Sequence, residues 1–278
     1  MVHDRKHDAM RRHALPRHPP PQLPPSPARS APSPLPLLKP RCAVHGSERK
    51  FRSLVSSIFA TNGLVLGGSI INSGAQNGGE ACFLADLAPH RIIHAVEPLP
   101  YAKAVHGWGR NNIIYMQAAL GSMNRTVDVG KTKKIPSGSQ LFNVDQAPTA
   151  ATDGPLITAR GRHTTGYFRV RRLDDLFARE WAGERFAFGL LDMEGSEADA
   201  LRGAEATIRR DRPVFSVEVG TGRPANETLP TIHALDYRTF VVEEACGIPM
   251  CRNVLCFPSE RLPPPTLLNL KLLQPGVA

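Results

Sequence analysis

The chain has 278 residues, of which 41% are hydrophobic, 21% charged and 6% aromatic. That balance excludes a wholly disordered, collagen-like or coiled-coil polypeptide and leaves room for one α/β domain with a tail. The formal charge of +9 sits mostly at the N-terminal end, +5 in residues 1–40 and +2 in residues 41–50, so residues 51–278 carry only +2; a near-neutral domain argues against nucleic acid as a partner, because that affinity is carried by clustered Lys and Arg.

Residues 1–40 hold 11 of the 26 prolines. The run from Pro16 to Pro40 removes backbone donors and offers nothing to bury, so residues 1–49 are expected to form a disordered, partly polyproline II tail. Its composition suits a Pro-rich ligand, an organelle-targeting segment or an inert extension. The N-terminus lacks the apolar central region of a secretory signal, and no apolar stretch approaches the roughly 18 to 20 residues of a spanning helix. A soluble intracellular protein is expected, cytoplasmic or, if the tail is a presequence, in an organelle. The five cysteines, Cys42, Cys82, Cys246, Cys251 and Cys256, are odd in number and follow no disulfide-framework spacing, which predicts reduced thiols and no metal site.

From residue 50 apolar runs alternate with helical patterns in the manner of a βα repeat. Leu54, Val55, Ile58 and Phe59 predict a first helix; Ser69–Ile71 reads as a buried strand ending at Asn72. A glycine loop follows, then a helix with Ala81, Leu84, Ala85 and Ala88 on one face. RIIHAVEP is a strand ending at Glu97, Tyr101–Trp108 a weak helix, and residues 111–120 a third strand. Residues 121–165 predict short β pieces and a long loop. YFRVRRLDDLF is a strand running into a short helix, and FAFGLLDMEG a continuous apolar strand of parallel type. Ser196 to Asp199 resembles a capping box opening a helix with Ala198, Leu201, Ala204 and Ile208 buried. Pro213–Val219 is a fifth strand, Thr228–Leu235 a helix, and Arg238–Glu243 with Asn253–Phe257 a closing antiparallel pair. The result is a single α/β domain over residues 50–265, a Rossmann-like, doubly wound, mostly parallel sheet, with residues 266–278 as a C-terminal extension.

In such a sheet the ligand lies outside the carboxyl ends of the strands. The first strand-end loop, Asn72 to Gly78, has the form G-x-x-x-G from Gly74 to Gly78, which suits a nucleoside-plus-amino-acid pocket better than the G-x-G-x-x-G pyrophosphate cradle of a dehydrogenase. Glu97 ends the next strand, where a carboxylate accepts hydrogen bonds from ribose hydroxyls. Asp192 and Glu194 end an apolar strand, and carboxylates there need donors or a cation, which suits a general base, a metal ligand or a contact to a cofactor amine. Glu218 ends the strand after it. Cys256 reads as a core thiol, His163 as a loop histidine, and Asn226-Glu227-Thr228 as a glycosylation-like triplet of no weight without a secretory signal.

Taken together, INSGAQNGG, HAVEPLP, MQAALGS, VRRLDDLF, LLDMEGSEADALRGA and RPVFSVEV resemble, in order and spacing, the FkbM family of S-adenosylmethionine-dependent methyltransferases, over roughly residues 65–260. The resemblance implies a class I methyltransferase fold, S-adenosyl-L-methionine as cofactor, and methyl transfer to a hydroxyl of a sugar or other small metabolite. It implies that Gly74, Ala75 and Gly78 line the methionine end of the cofactor, that Glu97 holds the ribose, that Ala118 and Ala119 flank the adenine, and that Asp192 and Glu194 face the reacting centre. Asn72 stands where the family pattern has Asp, so hydrogen-bonding capacity is kept and the charge that would face the α-ammonium is lost. Asp192 is the expected general base, with Glu194 and Glu218 behind it. A cofactor-binding or scaffold protein of the same fold with weakened catalysis is the alternative that Asn72 suggests.

Overall fold

The computed structural model describes Cys42 and residues 49–128, 158–160, 163–219, 223–242, 253–265 and 271–273. The tail apart from Cys42 and Arg49, the loop over 129–157, Cys246 and Cys251 lie outside the described residues.

An eight-stranded sheet organises the chain. Its five parallel strands are β1 (Ser69–Ser73), β2 (Ile93–Val96), β3 (Ile113–Met116), β9 (Phe186–Leu191) and β10 (Val214–Glu218), adjacent in the order β10-β9-β1-β2-β3. Beyond β10 the sheet turns antiparallel through β12 (Asn253–Pro258), β11 (Tyr237–Val242) and β13 (Lys271–Leu273). The expected closing pair is β11 with β12. β13 lies past residue 265, in the segment expected to be an extension, and pairs with β11 through Thr239, Phe240 and Val241.

Every residue of β1 and β9 is buried, as continuous apolar strands covered on both faces require. Alternation sorts their side chains. Ile70, Ile93, Ala95, Phe188 and Leu190 pack towards α1 (Arg49–Ala60) and α2 (Gly79–Leu87); Ile71, Val96, Leu191, Phe215 and Val217 pack towards α5 (Glu197–Arg202), α6 (Glu205–Asp211) and α7 (Arg223–Ala234). Burying these apolar surfaces is the main force holding the layers together. Chain direction matters more for function. From β1 the chain winds outward through β2 and β3, and from β9 it winds the other way through β10, so a crevice opens at the carboxyl ends of β1 and β9. No helix among the described residues is long and apolar enough to cross a membrane.

Four local expectations are corrected. The strand predicted over 111–120 breaks after Met116, and Ala119–Leu120 (β4) joins a second, three-stranded sheet with β5 (Arg125–Asp128) and β8 (Tyr167–Arg171). The helix after Ser196 is two helices, α5 and α6, divided at Gly203, where a Cβ would meet the Gly121 carbonyl oxygen at 2.0 Å, so that only glycine fits. The Ser196 side chain makes no capping hydrogen bond. Asp174 caps α6 instead, accepting from the Ala206 and Thr207 N–H groups at 3.2 and 2.8 Å. Finally, Cys42 and Cys82 are joined as a disulfide across 40 residues, against the expectation of free thiols, while Cys256 is a buried thiol as expected. Spacing could not reveal the pair, since only the fold brings Cys42 to the outer side of α2.

Candidate active site

The glycine loop starts as the chain leaves β1. Gly74 N–H and Ala75 N–H both reach the Val96 carbonyl, at 3.0 and 3.3 Å, while the Asp192 N–H donates to the Ser73 carbonyl at 3.0 Å. These bonds fold the loop back onto the ends of β2 and β9. Gly74 adopts φ +78°, and a Cβ there would sit 1.6 Å from the Asp192 carbonyl oxygen, so only glycine fits. Gly78, at φ +82°, is the left-handed residue preceding α2. Asn77 Oδ1 accepts from the Gly79 N–H at 3.1 Å and caps that helix start.

Glu97 is 5% exposed. Its Oε2 accepts from the Gln76 N–H at 3.0 Å and its Oε1 from the Leu99 N–H at 2.9 Å. One carboxylate thereby ties the glycine loop to the end of β2, and each oxygen keeps a lone pair for a hydroxyl. Burial, reinforced by the charge of Asp192, raises the Glu97 pKa against the lowering effect of the Leu99 and Gln76 bonds. Asn72 shares the face of Ile70 and is 2% exposed, and its Oδ1 has no hydrogen-bond partner. A buried acceptor left in that state costs free energy until a donor reaches it.

Four more carboxylates stand at the ends of β9 and β10. Asp192 is exposed to the crevice, and Glu194 follows with φ +55°. Glu197 is buried, and its Oε1 accepts from the Met193 and Gly195 N–H groups at 2.8 and 3.1 Å, so its side chain turns back towards the strand end. Burial raises the pKa of Glu194, and the charge of Asp192 adds to that. Burial pushes Glu197 up to about 7 despite its backbone bonds. Glu218 is raised by burial first, then by the charge of Asp192 and a side-chain hydrogen bond to it. Asp192 and Glu218 thus lie within hydrogen-bond reach of each other, and the Asp192 charge favours the protonated form of Glu218.

These raised values make a stability prediction. A carboxyl whose folded pKa lies above its unfolded value holds its proton more tightly in the folded state, so its contribution is complete below about pH 4.5 and is lost as pH climbs through the folded value. For Glu197, raised from 4.5 to about 7, the loss is on the order of 3 kcal/mol. The melting temperature of the ligand-free protein should therefore fall between pH 5 and pH 8, and Glu197→Gln should flatten much of that fall; a flat profile for the parent protein would contradict the assigned burial. Glu260, lowered to about 2 by Arg212, acts in the opposite direction in a window below this one.

The structure brings together Asn72, Gly74, Ala75, Gly78 and Glu97 on one side of the β1/β9 crevice and Asp192, Glu194 and Glu218 on the other. Ala118 and Ala119, both buried, lie just beyond β3 where the chain passes to the second sheet. A cationic, hydroxyl-bearing nucleoside fits this donor set: the carboxylates need positive charge or protons, Glu97 has lone pairs for hydroxyls, and Asn72 Oδ1 needs a donor. Among residues the sequence reading missed is Trp108, whose Nε1–H donates to the Asn77 carbonyl at 2.8 Å and steadies the loop from outside. Tyr115 was missed too. Its hydroxyl bonds the Glu97 and Leu99 carbonyls, and burial raises its pKa to about 12.

The family model for the FkbM methyltransferase domain matches residues 72–239, a span that begins at Asn72 and includes Glu97, Asp192 and Glu218. The chain belongs to the FkbM methyltransferase domain family. Solved structures similar to this FkbM chain include the FkbM methyltransferase of Methylobacillus flagellatus, 15% identical with a TM-score of 0.43, covering 72% of this chain and 47% of that one. A SAM-dependent O-methyltransferase of Thermotoga maritima is 11% identical, TM-score 0.41, covering 79% and 68% of the two chains. A Streptococcus mutans protein solved in complex with SAH is 9% identical, TM-score 0.44, covering 77% and 99%. The chain thus spans about half the length of the Methylobacillus protein. No curated protein matches it.

Proposed function

We propose that this FkbM domain binds S-adenosyl-L-methionine and methylates a hydroxyl oxygen of a sugar or other small metabolite. The observation that carries the reading is the convergence, at one sheet crevice, of the Gly74 turn locked against the Asp192 carbonyl and the Glu97 carboxylate locked onto that same turn. Gly74, Ala75, Gly78 and Asn72 would hold the amino-acid end of the cofactor, Glu97 its ribose, and Ala118 with Ala119 its adenine. When bound, that cofactor supplies an electrophilic methyl group on a sulfonium.

The remaining chemistry belongs to the chain. Asp192, exposed to the crevice, accepts the proton of the acceptor hydroxyl. Glu218, hydrogen-bonded to Asp192, orients it until the acceptor takes that place. Glu97 and the loop bonds hold their side of the crevice rigid, so a bound cofactor would be positioned for the acceptor oxygen without reorganising the loop.

Calorimetric titration with S-adenosylmethionine and S-adenosylhomocysteine tests the reading. Micromolar binding is expected, weakened at least about tenfold in Glu97→Ala, since two hydroxyl bonds and the loop tether go together; no binding by the parent protein would end the proposal. A methyl-acceptor screen over hydroxylated metabolites then tests the acceptor class. Asn72 in place of an acid favours a second reading, a cofactor-binding protein of weakened catalysis, and binding without turnover across that screen would support it.

A further inference from the structure

The Cys42–Cys82 disulfide is set into the outer wall of the glycine loop. Cys82 is fully buried on the first turn of α2, and its N–H donates to the Gly78 carbonyl at 2.8 Å. Four residues on, Asp86 holds the Arg110 guanidinium through contacts of 2.9 and 2.7 Å. Arg110 also donates to the Trp108 carbonyl at 2.6 Å, and the Trp108 indole donates to the Asn77 carbonyl at 2.8 Å. The links close a ring from the disulfide along α2 to Asp86, through Arg110 and Trp108 to Asn77, and back through Gly78. Cys42 Sγ lies 3.3 Å from Asp86 Oδ2 and 3.8 Å from Arg110 Nη2, beside that ion pair, and Cys42 is half-buried where Cys82 is inaccessible.

From this geometry we infer that Cys42–Cys82 is a thiol-exchange site whose reactant is a small-molecule thiol or its disulfide, and that opening it loosens the loop over residues 74–78. The inference rests on reading that loop as cofactor-binding. In the opening direction a small-molecule thiolate attacks Cys42 Sγ, the accessible sulfur. The Cys42–Cys82 bond breaks, Cys82 leaves as thiolate and takes a proton, and Cys42 carries the mixed disulfide. A second small-molecule thiolate attacks the outer sulfur of that mixed disulfide, releasing Cys42 as a thiolate that takes a proton beside the Arg110–Asp86 ion pair. Two small-molecule thiols are oxidised to one disulfide as one protein disulfide is reduced to two thiols. Closure is the reverse, with the accessible Cys42 thiolate as first nucleophile. Opening unties Cys42 from α2 and leaves the Arg110 brace as a purely noncovalent link, so the turn preceding α2 gains freedom that a ligand must remove again on binding.

The full-length protein, equilibrated with oxidised or reduced glutathione, provides the test. Peptide mapping by mass spectrometry should find Cys42 linked to Cys82 in the oxidised sample, and an absence of that link there would overturn the inference. Reduction should weaken S-adenosylhomocysteine binding about fivefold, a modest coupling between linked sites. It should also lower the melting temperature by roughly 5 to 10 °C, as opening a disulfide across a long loop predicts. Cys42→Ser should show the weaker affinity in both buffers; equal affinity for oxidised, reduced and Cys42→Ser protein would refute the coupling. Hydrogen exchange over residues 74–87, read without ligand, separates this inference from the proposed function. If neither redox state binds S-adenosylhomocysteine, the proposed function falls, while faster exchange on reduction still upholds the device and unchanged exchange ends it.

Discussion

Gly74→Ala should lose S-adenosylhomocysteine binding by at least about a hundredfold and lose about 3 kcal/mol of stability, placing it among the more damaging single substitutions. Two independent costs add at that residue. Alanine must adopt φ +78°, a left-handed conformation that L side chains rarely take, and its Cβ would stand 1.6 Å from the Asp192 carbonyl oxygen. Because that oxygen belongs to backbone at the end of the central strand β9, relief requires β1 and β9 to part at the crevice itself. The Asp192 N–H bond to the Ser73 carbonyl at 3.0 Å would stretch with them. Gly67→Ala is the matched control: that glycine has no positive φ and nothing within 4 Å of its built Cβ, so stability should stay within about 0.5 kcal/mol. Denaturant unfolding and titration of both variants give the comparison, and a Gly74→Ala protein that binds like the parent would remove the loop from the cofactor site.

Asp192→Asn should lower turnover by about a hundredfold to ten-thousandfold, the usual contribution of a positioned general base, while S-adenosylhomocysteine binding changes less than about threefold. The side chain is exposed at the carboxyl end of β9, so it meets the acceptor rather than the loop. Asparagine keeps the shape and an acceptor oxygen for the Glu218 hydrogen bond but cannot take a proton from a hydroxyl. Glu218→Gln should cost less, because glutamine still donates to Asp192 and the base survives. Single-turnover measurement on an acceptor from the screen, with cofactor titration beside it, separates the two effects. Full turnover by Asp192→Asn would pass the base role to Glu194 or Glu218.

Much of the architecture was legible in the sequence because its causes are local. β1 and β9 read as buried strands since Ile70–Ile71 and FAFGLL are continuous apolar runs, and both are buried throughout. The glycine loop, Glu97, Asp192 and Glu218 were legible as strand-end residues, and the carboxyl ends of parallel strands converge whatever the details of packing. What resisted reading were features decided by partners far along the chain. Gly203 lies inside the single helix expected after Ser196, yet the chain divides there into two helices, and a Cβ at that residue would meet the Gly121 carbonyl oxygen at 2.0 Å. Asp174 looked like part of a short amphipathic helix, yet it caps a helix some thirty residues later. His94 read as one more residue of a strand; it is buried, stacked on Trp181 with ring centroids 3.8 Å apart, and its Nε2 lies 2.8 Å from Glu184 Oε2.

By itself the sequence determined the class of sheet, the order of its parallel elements, the family resemblance and the residues delivered to the crevice, since hydrophobic period, glycine placement and strand-end acids act over a few residues each. Tertiary structure alone decided what those residues do to one another. It bound Glu97 to the Gln76 backbone, placed Glu218 against Asp192, turned Glu197 back towards the strand end, and brought Cys42 against Cys82 across 40 residues. The physical reason is that a hydrogen bond, a carboxylate pair or a disulfide depends on distances of a few ångströms between groups remote in the chain, and only the packed sheet with its helices sets those distances.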